Sequence, residues 1–193
     1  METIVYIHGF AAHWTVFLPC SAYLRCCGFR SKFWGYPTLR EPFDNSAKRF
    51  ASSLAKIDEH GRGFHIVAHS MGSIVTLLAL QYAQLNNLGR IVFLAPPIQG
   101  VPVAGSTPRF LNTWITNLES MSDGPNGLHR SVRFNDSVST MVIAARYDAL
   151  VPLRNTHLPG RHERLELIAT HNSLLIDPRV FMRIGRFLRG KTE

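Results

Sequence analysis

Six consecutive residues, Val67-Ala68-His69-Ser70-Met71-Gly72, hold the serine best placed in this chain for nucleophilic chemistry. An apolar run, Phe64-His65-Ile66-Val67, precedes it and a helix-like run over 73–80 follows. A strand that turns sharply into a helix at a serine presents the hydroxyl at the apex, above the helix N-terminus. Backbones crowd at such a turn, so small residues are needed on both sides; Ala68 and Gly72 supply them. A serine hydroxyl is a poor nucleophile until a base takes its proton. Two later segments offer a base and an acid to orient it. The run 139–145 delivers Asp148 and the run 164–170 delivers His171, each just past the C-terminal end of a predicted strand. In an open parallel sheet those ends are where sites form. The chemistry open to Ser70, His171 and Asp148 is acyl transfer through a serine-bound intermediate.

Such chemistry needs donors for a developing oxyanion. The buried-strand pattern Thr3-Ile4-Val5-Tyr6-Ile7 ends in His8-Gly9-Phe10. A glycine-containing turn there can aim the Phe10 N–H into a neighbouring site. Paired with the Met71 N–H at the start of the following helix, it would make a two-donor oxyanion hole. Removing one such donor typically costs about 2.7–4 kcal/mol of transition-state stabilisation.

These segments together resemble a small α/β-hydrolase of the lipase/esterase kind, from about residue 3 to the C-terminus. His8-Gly9-Phe10 resembles that family's oxyanion motif, and Ala68-His69-Ser70-Met71-Gly72 its elbow, in the Ala-first variant of small bacterial lipases that lack a large lid. Asp148-Ala149-Leu150-Val151-Pro152 is similar to its acid loop and His171-Asn172-Ser173-Leu174-Leu175 to its histidine loop. The run 91–100 is similar to the strand and loop after the elbow helix. The order Ser70, Asp148, His171 is that of the family's triad. Two departures are Ala68 for the first elbow glycine and Asn172 for a small residue beside the histidine. The resemblance implies a serine hydrolase of carboxylic esters without metal or organic cofactor. The same triad would serve a thioesterase or acyltransferase. A non-catalytic binder on this fold is the reading from another class, and an intact trio counts against it.

Other polar residues are assigned blander roles. His69 is expected to be structural and His65 to be packed or paired inside its strand. His60, His129, His157 and His162 fall in polar stretches and are expected at the surface. Asp123 and Asp136 are rival acids in turn-rich sequence, and Asp177 before Pro178 suits a helix cap. No His, Cys, Asp or Glu cluster has metal-ligand spacing. Cys20, Cys26 and Cys27, an odd number within one predicted helix, read as free thiols and point to a reducing compartment.

The chain of 193 residues is expected to form one domain, 1–193, with 46% hydrophobic residues to bury. No apolar stretch reaches the length of about 18 residues needed to span a membrane, and no leader-like start is visible, so a cytoplasmic location is expected. Lys and Arg number 21 against 13 Asp and Glu, a formal charge of +8. Arg179, Arg183, Arg186 and Arg189 share one face of the last predicted helix, opposite Val180, Phe181, Ile184, Phe187 and Leu188. A solvated basic face with weak surface attraction explains them better than a nucleic-acid site, which would interleave aromatics.

The elements that must position the trio alternate. Strands at 3–7 and 29–35, the elbow strand, and strands ending near 95, 145 and 169 are interleaved with helices over 14–27 and 45–59. The 45–59 helix is capped in this reading by Asp44 or Asn45. The expectation is a minimal, mostly parallel six-stranded sheet with helices on both faces, the α/β-hydrolase fold. Residues 98–138 form a short insertion, with a helix over 109–120 and room for a small lid. Phe10, Met71, Ile98, Leu150, Leu174 and Trp114 flank the loops as candidate walls of an acyl site for a small-molecule or lipid-like ester.

Overall fold

The computed structural model describes residues 1–102, 119–122, 133–134 and 136–190. Six strands form one all-parallel sheet: β1 (Thr3–Ile7), β2 (Arg30–Trp34), β3 (Phe64–His69), β4 (Leu88–Leu94), β5 (Ser139–Ala145) and β6 (Glu163–Leu167). Their spatial order is β2-β1-β3-β4-β5-β6. Among the described residues the α-helices are α1 (Leu18–Cys26), α2 (Phe43–Asp58), α3 (Met71–Tyr82) and α4 (Pro178–Leu188). Trp114 and most of the helix expected over 109–120 lie outside the described residues. Of that segment, Glu119–Met121 is a single 3-10 turn.

Side chains alternate across each strand and so build two cores. Val5, Ile7, Ile66, Ala68 and Phe93 pack with Phe50 and Leu54 of α2 and Val75 of α3. Ile4, Tyr6, Val67, Val92 and Ile143 pack on the other side with Leu24 of α1 and Val180 and Ile184 of α4. A sheet covered on both faces explains why its central strands read as unbroken apolar runs.

Three boundaries differ from the sequence reading. The expected 14–27 helix is a 3-10 turn, Trp14–Phe17, followed by α1 with Pro19 in its first turn, where proline is tolerated. The strand expected over 29–35 is shorter, Arg30–Trp34. The α2 helix begins at Phe43 after Pro42, with no side-chain cap. Asp44 lies two residues past the N-cap position and is instead spent on a surface pair with Lys48 at 2.6 Å and on the Tyr82 hydroxyl. The last helix follows its pattern: Asp177 accepts the Arg179 N–H at 2.9 Å, and the five apolar residues are buried. Arg179 pairs with Asp177, and Arg183 pairs with Glu163. The three cysteines are free, with Cys20 buried and Cys26 exposed.

The strand order reverses at β1. From β1 the chain passes outward to edge strand β2, then returns to β3 on the other side of β1. Right-handed crossovers in opposite directions put α1 and α2 on opposite faces. They leave a crevice at the C-terminal ends of β1 and β3, the switch point where such sheets bind ligands. Ile7 of β1 pairs with Ala68 of β3, so the 8–11 loop and Ser70 emerge side by side.

Candidate active site

Ser70 stands between the last residue of β3 and the first of α3 with φ 52° and ψ −125°. A non-glycine residue at positive φ is strained and persists only where its surroundings over-determine it. Here they do. The Ser70 N–H donates to Leu94 O at 2.8 Å, and Ser70 O accepts from Ser73 N at 2.9 Å. A Cβ on Gly72 would fall 2.7 Å from the carbonyl oxygens of both Ile7 and His8, so α3 can approach β1 only with glycine there. A Cβ on Gly9 would meet Ser70 Cβ at 2.9 Å, so the glycine of the turn after β1 is fixed by contact with the serine itself.

Asp148 and His171 come together from the loops after β5 and β6. His171 Nδ1 donates to Asp148 Oδ2 at 2.6 Å, with the two side chains 9% and 1% exposed. The other carboxylate oxygen accepts the N–H groups of Leu150 at 2.9 Å and Val151 at 2.8 Å. Burial pushes the Asp148 carboxyl up. The hydrogen bonds from His171, Val151 and Leu150 outweigh it and hold the carboxyl below its ordinary value. A carboxylate that accepts from Nδ1 leaves the Nε2 lone pair free to act as a base. Ser70 and His171 both line one cavity of about 650 Å³.

His69 is buried behind them. Its Nε2 donates to His171 O at 3.2 Å, and its ring lies 4.8 Å from that of His171. Burial, reinforced by the neighbouring imidazole of His171, lowers its pKa to about 3, so it is neutral. His65 is paired too, with Glu2 at 3.2 Å and the Arg90 N–H at 3.0 Å. His60 and His157 are exposed, while His129 and Asp123 lie outside the described residues. Asp136 is exposed and sits against Gly160, away from His171.

The walls differ in part from those expected. Phe10 and Leu150 line the cavity, joined by Val16, Val101, Leu175 and Ile176. Ile98 and Leu174 do not: they are 6% and 0% exposed and belong to the cores below. Met71 is fully buried, so only its backbone can serve the site. As the first residue of α3, its N–H is one of the donors a helix leaves without an intrahelical partner. The substitution of Leu175 for Leu174 comes from the 3-10 turn Ser173–Leu175, where consecutive side chains diverge by about a third of a turn.

A strained serine between a parallel strand and a helix, beside an Asp–His pair at later strand ends, defines a class. The chain belongs to the alpha/beta hydrolase family, whose model matches residues 4–185. Comparison by sequence with curated proteins gives no significant match. Among solved structures, the mature lipase BlEst2 of Bacillus licheniformis superposes with a TM-score of 0.76 at 16% identity, over 97% of this chain and 91% of that one. A monoacylglycerol lipase of Paleococcus ferrophilus gives 0.72 at 12% identity, over 98% and 95%. Aspergillus fumigatus lipase B gives 0.81 at 14% identity, over 97% of this chain and 52% of that one. At such identities the likeness is one of fold.

Proposed function

We propose that this protein is a serine hydrolase that cleaves carboxylic esters through an acyl-enzyme on Ser70. The observation that carries the reading is the 2.6 Å bond between His171 and a buried Asp148, on a loop that shares a cavity with a strained Ser70. An alanine, a water-facing aspartate or an unstrained serine in these places would argue against it. Structural relatives named lipase or carboxyl esterase support the reaction class.

In the mechanism, His171 Nε2 takes the Ser70 hydroxyl proton as Oγ attacks the ester carbonyl carbon. Asp148 keeps the proton on Nδ1 and stabilises the imidazolium that forms. The N–H groups of Phe10 and Met71 receive the carbonyl oxygen as it becomes an oxyanion. His171 then gives its proton to the departing alcohol, and the acyl group remains on Ser70. Water, deprotonated by the same His171, attacks the acyl-enzyme and releases the acid. The apolar walls at Val16, Val101, Leu175 and Ile176 suit a hydrophobic acyl group.

The test is labelling with a fluorophosphonate, read by mass spectrometry on the wild type, Ser70→Ala and His171→Ala. An adduct on Ser70 that is lost in both variants is expected. A folded wild type that takes no label overturns the proposal.

A further inference from the structure

The loop that would offer the Phe10 N–H is tied down on both sides by residues the mechanism does not use. On one side, the Tyr36 hydroxyl donates to His8 O at 3.0 Å. On the other, Thr38 Oγ1 accepts the Ala11 N–H at 3.0 Å. Phe10 lies between these two anchors. Tyr36 and Thr38 are 8% and 6% exposed and sit on the connection from β2 to α2, more than 25 residues from the loop they hold.

The anchors resist a real tendency to relax. Ala11 is held at φ 50°, a left-handed conformation that a Cβ disfavours. Its N–H is kept in that orientation by Thr38. The Tyr36 ring stacks on His8 at 4.9 Å and on Trp34 at 5.1 Å, so its hydroxyl is aimed by two aromatic contacts. His8 O also lies where a Cβ on Gly72 would touch it, so the oxygen that Tyr36 holds is the one against which the first turn of α3 packs. That turn carries the Met71 N–H. The distance between the two proposed donors therefore depends on this clamp.

We infer that Tyr36 and Thr38 are positioning residues that hold the Phe10 N–H in register with the Met71 N–H across Ser70. The inference rests on the ester-hydrolase reading above. It assigns to the β2–α2 connection a share in transition-state stabilisation that its sequence does not advertise. A misplacement of about 1 Å in such a site can cost roughly a hundredfold in rate. Only the oxyanion is affected, because the ground-state carbonyl depends far less on these donors.

The test uses the whole protein with p-nitrophenyl butyrate, with rates counted per Ser70 titrated by fluorophosphonate. Thr38→Val and Tyr36→Phe are each expected to lower kcat about tenfold to a hundredfold while KM stays within about twofold. Affinity for a trifluoromethyl ketone carrying the same acyl chain should fall by the same factor as kcat/KM. Thr38→Ser, which keeps the acceptor oxygen, should restore most of the rate. If Thr38→Val does not fold, Tyr36→Phe decides alone, since it keeps the ring stack and removes one oxygen. Full kcat per titrated serine in the folded variants overturns the clamp and leaves the hydrolase reading standing. A wild type that neither turns over the ester nor takes the label overturns both.

Discussion

The two halves of the site are held by opposite means. Around Ser70 the tightest constraints are steric, beside the hydrogen bonds that hold its backbone and the 8–11 loop: Gly9 and Gly72 lie against backbone and Cβ atoms at distances where no side chain fits. Around Asp148 and His171 they are polar: a 2.6 Å hydrogen bond from Nδ1 to the carboxylate, two N–H groups on the second carboxylate oxygen, and His69 under the His171 carbonyl. A sterically built element fails when atoms are added. A polar one fails when a proton or an acceptor is changed. The comparison therefore predicts which perturbation each half survives.

The largest effect separates nucleophile from orienter. Ser70→Ala is expected to lower ester turnover by about 10⁶ and Asp148→Asn by about 10⁴, because Asn leaves the base present but in the wrong tautomer. Both variants should fold, and steady-state kinetics on p-nitrophenyl esters reads the difference. Equal losses would mean that Asp148 does more than orient His171.

Next comes the steric half. Gly72→Ala places a Cβ 2.7 Å from two backbone carbonyl oxygens, of Ile7 at the end of β1 and of His8 just past it, which cannot move as a flexible side chain could. Its expected cost is about 1–3 kcal/mol of stability together with a loss of activity. Gly9→Ala meets Ser70 Cβ at 2.9 Å and should lower kcat more than stability, since the atom displaced is on the proposed nucleophile. Thermal melts and active-site titration separate the two outcomes. A Gly9→Ala enzyme with wild-type kcat would break the claim that this contact sets the serine.

How much of this was legible in the chain follows the same division. Ser70 and Asp148 follow apolar runs, a signal the central strands share because both faces of the sheet are buried there, whereas His171 follows the half-buried edge strand β6, whose charged residues alternate with leucines. That position 72 must be small could be read from the motif, but the atoms that crowd it, the Ile7 and His8 carbonyl oxygens, belong to a remote segment. Wall residues could not. Whether Leu174 or Leu175 reaches the cavity depends on the rotation of one 3-10 turn against a core that the sequence does not display. Nor could the anchors at Tyr36 and Thr38, whose partners are remote in sequence and whose own segment looks like an ordinary turn. The α2 cap was misread because Asp44 and Asn45 are good capping types placed just inside a helix that Pro42 starts earlier.

The polar half should reveal itself in acid. Burial lowers the pKa of His69, His8 and His65 below the ordinary 6.5. The unfolded chain thus binds protons that the folded chain refuses, so stability rises with pH in this range and falls as pH drops through 6.5. For each fully buried neutral histidine the loss approaches about 1.4 kcal/mol per pH unit until its folded pKa is reached, which for His69 is about 3. Asp148, held below its ordinary 3.8, adds to the loss only below that value. Urea denaturation at pH 7.5, 6 and 5 should show the decline beginning well above the carboxylate range. A stability that stays flat down to pH 5 would mean the buried histidines take up protons without cost.

The smallest effect is expected at the rim of the cavity, where neither means of constraint operates. Leu150 lines the site, but its side chain is 47% exposed, and its contribution to the polar half is a backbone N–H that any residue other than proline supplies. Leu150→Ala should therefore leave kcat within about twofold and raise KM for longer acyl chains by less than about tenfold, the scale of losing part of one apolar contact. Leu150→Pro keeps an apolar side chain and deletes the N–H that binds Asp148 Oδ1 at 2.9 Å, so it should act on kcat instead. Measuring both substitutions across an acyl-length series distinguishes what this residue gives the substrate from what its backbone gives the acid. A larger kcat loss for the alanine variant than for the proline variant would reverse that assignment.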